Sequence, residues 1–212
     1  KTRKLQTVGI AFGLFLAVYV PAFIAVSMIR PTPRIAVPLI IGVSLLIAMA
    51  LIATLVARCA EKFGAFGFRL PAARYIGLAI LLGLPLAVVV GSLAHMFPAK
   101  APLDTSDFPL WMLALYFGVG SPIQEEVIFR GLLQSFVEQR WMAMVRLGGP
   151  ISVAVLFTSA LFGIAHLGSG SVVFGGAIVL GLVAGELRRR SGSLIPAIIV
   201  HVLFNVPELI WR

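Results

Sequence analysis

The chain has 212 residues, 60% of them hydrophobic and 12% charged, with a formal net charge of +9. Soluble domains carry about 25% charged residues, so this composition excludes an ordinary water-soluble globule and describes a polytopic membrane protein. The positive charge does not indicate nucleic acid, because Lys and Arg lie in short segments between apolar runs, with no recognition helix or aromatic platform beside them.

Crossing the hydrocarbon takes ~20 apolar residues. That length predicts an all-α bundle of about seven membrane helices, at roughly 5–29, 35–57, 75–97, 108–137, 150–167, 172–187 and 193–211. The first run follows Lys1-Thr2-Arg3-Lys4 and is too long for the apolar region of a signal peptide, so it reads as a retained span. The loop 58–74 mixes aromatic and basic residues and suits the lipid headgroup region. Near the end of the third span, His95 has no polar neighbour in sequence and reads as interfacial; the polar loop 98–107 with Lys100, Asp104 and Asp107 follows. The fourth span is long and interrupted at Gly118-Val119-Gly120-Ser121-Pro122. The fifth and sixth are short. Ala177, Gly181 and Gly185 give the sixth a small-residue face, which permits close helix packing. No repeat or soluble module stands out, and residues 1–212 read as one integral-membrane domain.

Loop charge predicts the orientation. With the N-terminus inside, the inner segments hold Lys1, Arg3, Lys4, Arg58, Lys62, Arg69, Arg74, Arg140, Arg146, Arg188, Arg189 and Arg190, and the outer ones Arg30, Arg34, Lys100 and Arg212. That is 12 against 4, as the positive-inside rule requires.

Three polar clusters interrupt the apolar helices: Glu125, Glu126 and Arg130; Phe162 and His166; His201 and Asn205. An ionisable group at membrane depth costs ~2.5–3.5 kcal/mol on insertion scales, so it faces a bundle interior or a wet cavity. Ser121-Pro122-Ile123-Gln124 carries the signature of a helix start: a Ser cap, Pro at the first position and Gln completing a capping box. Glu126 and Arg130 are i, i+4 and should pair, which leaves Glu125 for chemistry or for bonding a neighbouring helix, since adjacent helical residues point about 100° apart. His201 and Asn205, also i, i+4, point the same way and can donate to an oxyanion or simply bond a neighbouring helix.

The residues present narrow the mechanism. No Gly-x-Ser-x-Gly elbow and no His-Glu-x-x-His occurs, and Asp104 and Asp107 share one loop. Cys59 is the only cysteine, which excludes an intramolecular disulfide and a thiolate zinc site. A Glu or His acting on water remains, with or without a metal.

Together the clusters resemble the CPBP (Abi) family of glutamic intramembrane proteases, the CAAX proteases and bacteriocin-processing enzymes. Glu125-Glu126-Val127-Ile128-Phe129-Arg130, Phe162-Gly163-Ile164-Ala165-His166 and His201-Val202-Leu203-Phe204-Asn205 stand in the family's order across residues 115–210. The resemblance implies that Glu125, aided by His166, activates water, that His201 and Asn205 stabilise the oxyanion, and that Glu126, Arg130 and Phe162 support them. It implies hydrolysis of a peptide bond in a membrane-associated protein or peptide, of prenylated CaaX type in some members, in a bacterial inner or plasma membrane and without a cofactor. Two other expectations remain: a zinc protease using Glu125, His166 and His201 as ligands, and a non-catalytic immunity or scaffold protein. Substrate, cleavage site and oligomeric state are not encoded legibly.

Overall fold

The computed structural model describes residues 2–59, 62–97, 107–140 and 152–210. Lys1, Lys100, Asp104, Arg146 and Arg212 of the charge pattern lie outside the described residues. Among those described there are seven helices and no strand. They are α1 (Thr2–Ile29), α2 (Pro33–Cys59), α3 (Ala73–Met96), α4 (residues 110–140), α5 (Val153–Ala165), α6 (Ser171–Ser191) and α7 (Ile195–Ile210). The seven apolar runs therefore correspond to seven helices, and the protein is a helical membrane bundle. Stretches of α1, α2, α3 and α6 are long and apolar enough to cross a bilayer.

Helix α4 is the axis, touching α1, α2, α5, α6 and α7. The interruption of the fourth span takes an unexpected form. No helix begins at Ser121: its backbone is helical (φ −62°, ψ −48°) and continuous with the turns before it. The α-helical winding is instead interrupted by two π-helical segments, Ala114–Gly120 and Val127–Gln134, on either side of Ser121–Glu126. The Ser-Pro-x-Gln signature misleads because the turns before it are already helical and the Ser side chain bonds Glu125 in place of a backbone N–H. Such π turns are uncommon and concentrate at functional sites.

Small residues set the packing distances, as dispersion and close approach must where lipid replaces water. A Cβ on Gly181 would stand 2.8 Å from Ser159 Cβ, so α6 lies directly on α5 there. Gly185 faces Val155 and Gln134, and Gly83 of α3 faces Leu203 and Val200 of α7.

The α2–α3 loop departs from its expected place among headgroups. Phe63 and Phe68 are exposed, but Phe66 is fully buried against the core. Arg188, counted among the loop charges, is buried, and its Nη2 donates to Ala65 O and Ser135 Oγ, each at 2.8 Å. Arg69 Nε donates to Gly192 O at 2.8 Å and Ser193 Oγ to Arg69 O at 2.5 Å. Gly67 adopts φ +93°, a left-handed turn that brings its carbonyl to the Leu194 N–H at 3.0 Å. These bonds clasp the α2–α3 loop to the α6–α7 turn and to α4.

Helix α5 has 13 residues. At 1.5 Å per residue it rises about 20 Å, short of the ~30 Å hydrocarbon. It ends at His166, followed by a 3₁₀ turn over Leu167–Ser169 and Gly170 at φ +95°. Irregular backbone at membrane depth is tolerated where protein or water lines it.

Candidate active site

All three polar clusters meet between α4, α5 and α7. Glu126 and Arg130 are both fully buried and pair at 2.9 Å through Nη1 and Oε1. His201, 75 residues further along the chain, approaches the same Oε1 with Nδ1 at 2.8 Å. A carboxylate oxygen accepts from both donors, so the proton of neutral His201 sits on Nδ1 and its Nε2 carries a lone pair. The guanidinium lies over the Phe162 ring, 4.6 Å from its centre, a cation–π contact in a place that water does not reach.

Phe162 serves the site through both ring and backbone. Its ring is 4.6 Å from that of His166 and 5.6 Å, edge-on, from that of His201, and packs edge-on against Phe129 at 4.9 Å. Its carbonyl lies 2.8 Å from His166 Nδ1. A carbonyl only accepts, so His166 also keeps its proton on Nδ1 and turns Nε2 inward. The i, i+4 spacing of Phe162 and His166 thus works as a backbone tether, a use that spacing alone does not distinguish from ring packing.

Glu125 lies between the two imidazoles. Its Oε2 is 3.8 Å from His166 Nε2 and 3.8 Å from His201 Nε2. Its Oε1 accepts a hydrogen bond from the Ser121 hydroxyl, one turn earlier. Exposure grades across the group, from 4% for the His201 side chain through 14% for Glu125 to 27% for His166, so the site opens on the α5 side. Separations of 3.8 Å are too long for direct hydrogen bonds, and Oε2 is buried without a hydrogen-bond partner among the described residues.

Two expectations change. The adjacent acids were expected to serve separate partners, yet one imidazole reaches both: His201 bonds Glu126 through Nδ1 and faces Glu125 with Nε2. Asn205 has a different partner from His201. Its Nδ2 donates to the Phe117 carbonyl at 2.8 Å, within the first π segment, leaving one amide hydrogen for other use. The sequence also gave no sign of Tyr19 in α1, whose hydroxyl accepts from Gln124 Nε2 at 3.4 Å and whose ring packs beside Phe129.

The zinc arrangement fits poorly. Ligands of a tetrahedral zinc at ~2.0–2.1 Å stand about 3.4 Å from one another, closer than the 3.8 Å separating Glu125 Oε2 from each Nε2. Among the described residues, no group of three or more His, Cys, Asp or Glu is arranged to hold a metal ion.

Comparison with protein families gives a match over the segment that carries this site. Residues 107–207 match the family model described as Type II CAAX prenyl endopeptidase Rce1-like. The match includes Glu125, Glu126, Arg130, Phe162, His166, His201 and Asn205, and excludes α1, α2 and α3. No curated protein and no solved structure matches the chain. The segment that builds the polar site, residues 107–207, is therefore similar to the Rce1-like CAAX prenyl endopeptidases, consistent with the CPBP family.

Proposed function

We propose that the protein is a metal-independent intramembrane endopeptidase that hydrolyses a peptide bond in a membrane-associated protein or peptide, with a prenylated CaaX-type chain as the substrate class. The observation that carries this reading is the Glu125 carboxylate facing two imidazole Nε2 atoms at 3.8 Å each. A water held there has a carboxylate and two lone pairs as acceptors, with a cavity wall of Phe162 and Phe129 behind it.

In this mechanism Glu125 Oε2 takes a proton as the water oxygen bonds to the scissile carbonyl carbon. His166 orients the water through Nε2. The carbonyl oxygen becomes the oxyanion and lies towards α7, where Asn205 offers its remaining amide hydrogen. His201, bonded to Glu126 through Nδ1, reaches the oxyanion as a donor only when Nε2 carries a proton. Collapse of the adduct breaks the C–N bond, and the departing amine takes the proton held by Glu125. Each preorganised donor to the oxyanion contributes ~2.7–4 kcal/mol in a water-poor site.

The test uses the full chain in proteoliposomes with a quenched fluorescent farnesylated CaaX peptide. Glu125→Ala should abolish cleavage while the melting temperature in detergent stays within a few degrees of wild type, and a chelator should leave wild-type cleavage intact. Cleavage by the Glu125→Ala protein would sink the glutamic reading; loss with chelator, restored by zinc, would sink metal independence. The same reading keeps the N-terminus on the cytoplasmic side. A cysteine at Thr2, in a Cys59→Ser background, should react with an impermeant maleimide only after cells are opened; labelling of intact cells would reverse the topology.

A further inference from the structure

The two oxygens of the Glu125 carboxylate have different surroundings. Oε1 accepts from the Ser121 hydroxyl, while Oε2 is buried, has no hydrogen-bond partner among the described residues and faces both imidazoles. A Glu side chain has three rotatable bonds, and nothing on α5 or α7 holds this one at hydrogen-bond distance. Its restraint comes from its own helix, one turn back.

We propose that Ser121 is a positioning residue for the hydrolytic reaction: its hydroxyl fixes Oε1 and so aims Oε2 at the space between His166 and His201. The proposal rests on the reading of Glu125 as the base. Geometry supports it in two ways. Ser121 and Glu125 are i, i+4 within the short α-helical stretch Ser121–Glu126, where side chains four apart meet. The π turns on either side, Ala114–Gly120 and Val127–Gln134, break that register, so residues beyond them do not offer the same alignment. The hydroxyl also donates to a carboxylate and not back to the carbonyl of residue 117, the usual bond of a helical Ser. That carbonyl accepts from Asn205 Nδ2, and the Ser121 hydroxyl donates to Glu125.

The discriminating pair is Ser121→Thr and Ser121→Val, which have the same shape and differ in the hydroxyl. Both are assayed with Ser121→Ala and Glu125→Ala on the farnesylated peptide in proteoliposomes. Ser121→Val and Ser121→Ala should lose about 10- to 100-fold in kcat, the factor matching a hydrogen bond to a charged group, with KM and melting temperature unchanged. Ser121→Thr should retain most of the wild-type kcat. Equal kcat for the Thr and Val variants, with Glu125→Ala inactive, overturns the role of Ser121 and leaves the base intact. An active Glu125→Ala protein overturns the underlying reading as well. Should Ser121→Ala fail to fold, the Thr-to-Val ratio carries the result alone.

Discussion

The two halves of the bundle use apolar sequence differently. In the most apolar windows of α1, α2 and α3 only 17% of residues are buried inside the protein, against 44% in α6. Leu81 and Val88 of α3 point outward, whereas every residue of Val127–Gln134 in α4 is buried. The first half is mainly a wall whose outer face answers to lipid, and lipid asks only for hydrophobicity. The second half answers to protein, and there each residue has a shape or a partner to match. The division coincides with the reach of the family match, which begins at residue 107.

The largest way to test that contrast is Arg130→Ala. It leaves the Glu126 carboxyl with His201 alone beside it, at a position with no solvent access. Breaking a buried pair by removing one partner costs about 3–5 kcal/mol, so the variant should unfold well below wild type in a detergent thermal scan and lose cleavage too. Wild-type stability with lost activity would mean that Arg130 serves chemistry and not assembly. A smaller effect is expected from Gly181→Leu, because even a Cβ there meets Ser159 at 2.8 Å. Overpacking of this kind costs about 1–3 kcal/mol, readable in the same scan. The matched control, Gly77→Leu in α3, has nothing within 4 Å of the added Cβ and should leave the melting temperature unchanged. If both glycines respond alike, the contrast between a lipid-facing wall and a packed half is wrong.

Much of this arrangement is legible in the chain because its signals are local. Hydropathy places seven helices, since each run is long relative to the membrane. The Glu126–Arg130 pair follows from i, i+4 spacing, and the Ala177, Gly181 and Gly185 face from side-chain size. What sequence does not reveal depends on distant partners. His201 reaches Glu126 across 75 residues of chain, and Arg188 is drawn inside by Ala65 and Ser135. The π turns escape notice for the same reason: Val127–Gln134 has no Pro, and its winding is fixed by what packs around it. At Ser121 the local signal is present but ambiguous, because one hydroxyl can cap a helix or hold a carboxylate, and the winding before it decides which.

The brevity of α5 has a consequence for the surrounding lipid. A helix about 10 Å shorter than the hydrocarbon is thick leaves a step at the protein's edge, and a bilayer meets such a step by thinning locally, at a fraction of a kcal/mol per Å. Under the proposed function, thinning at the His166 end would bring headgroups and their water towards the most exposed member of the site, and cleavage in proteoliposomes would then change with acyl-chain length.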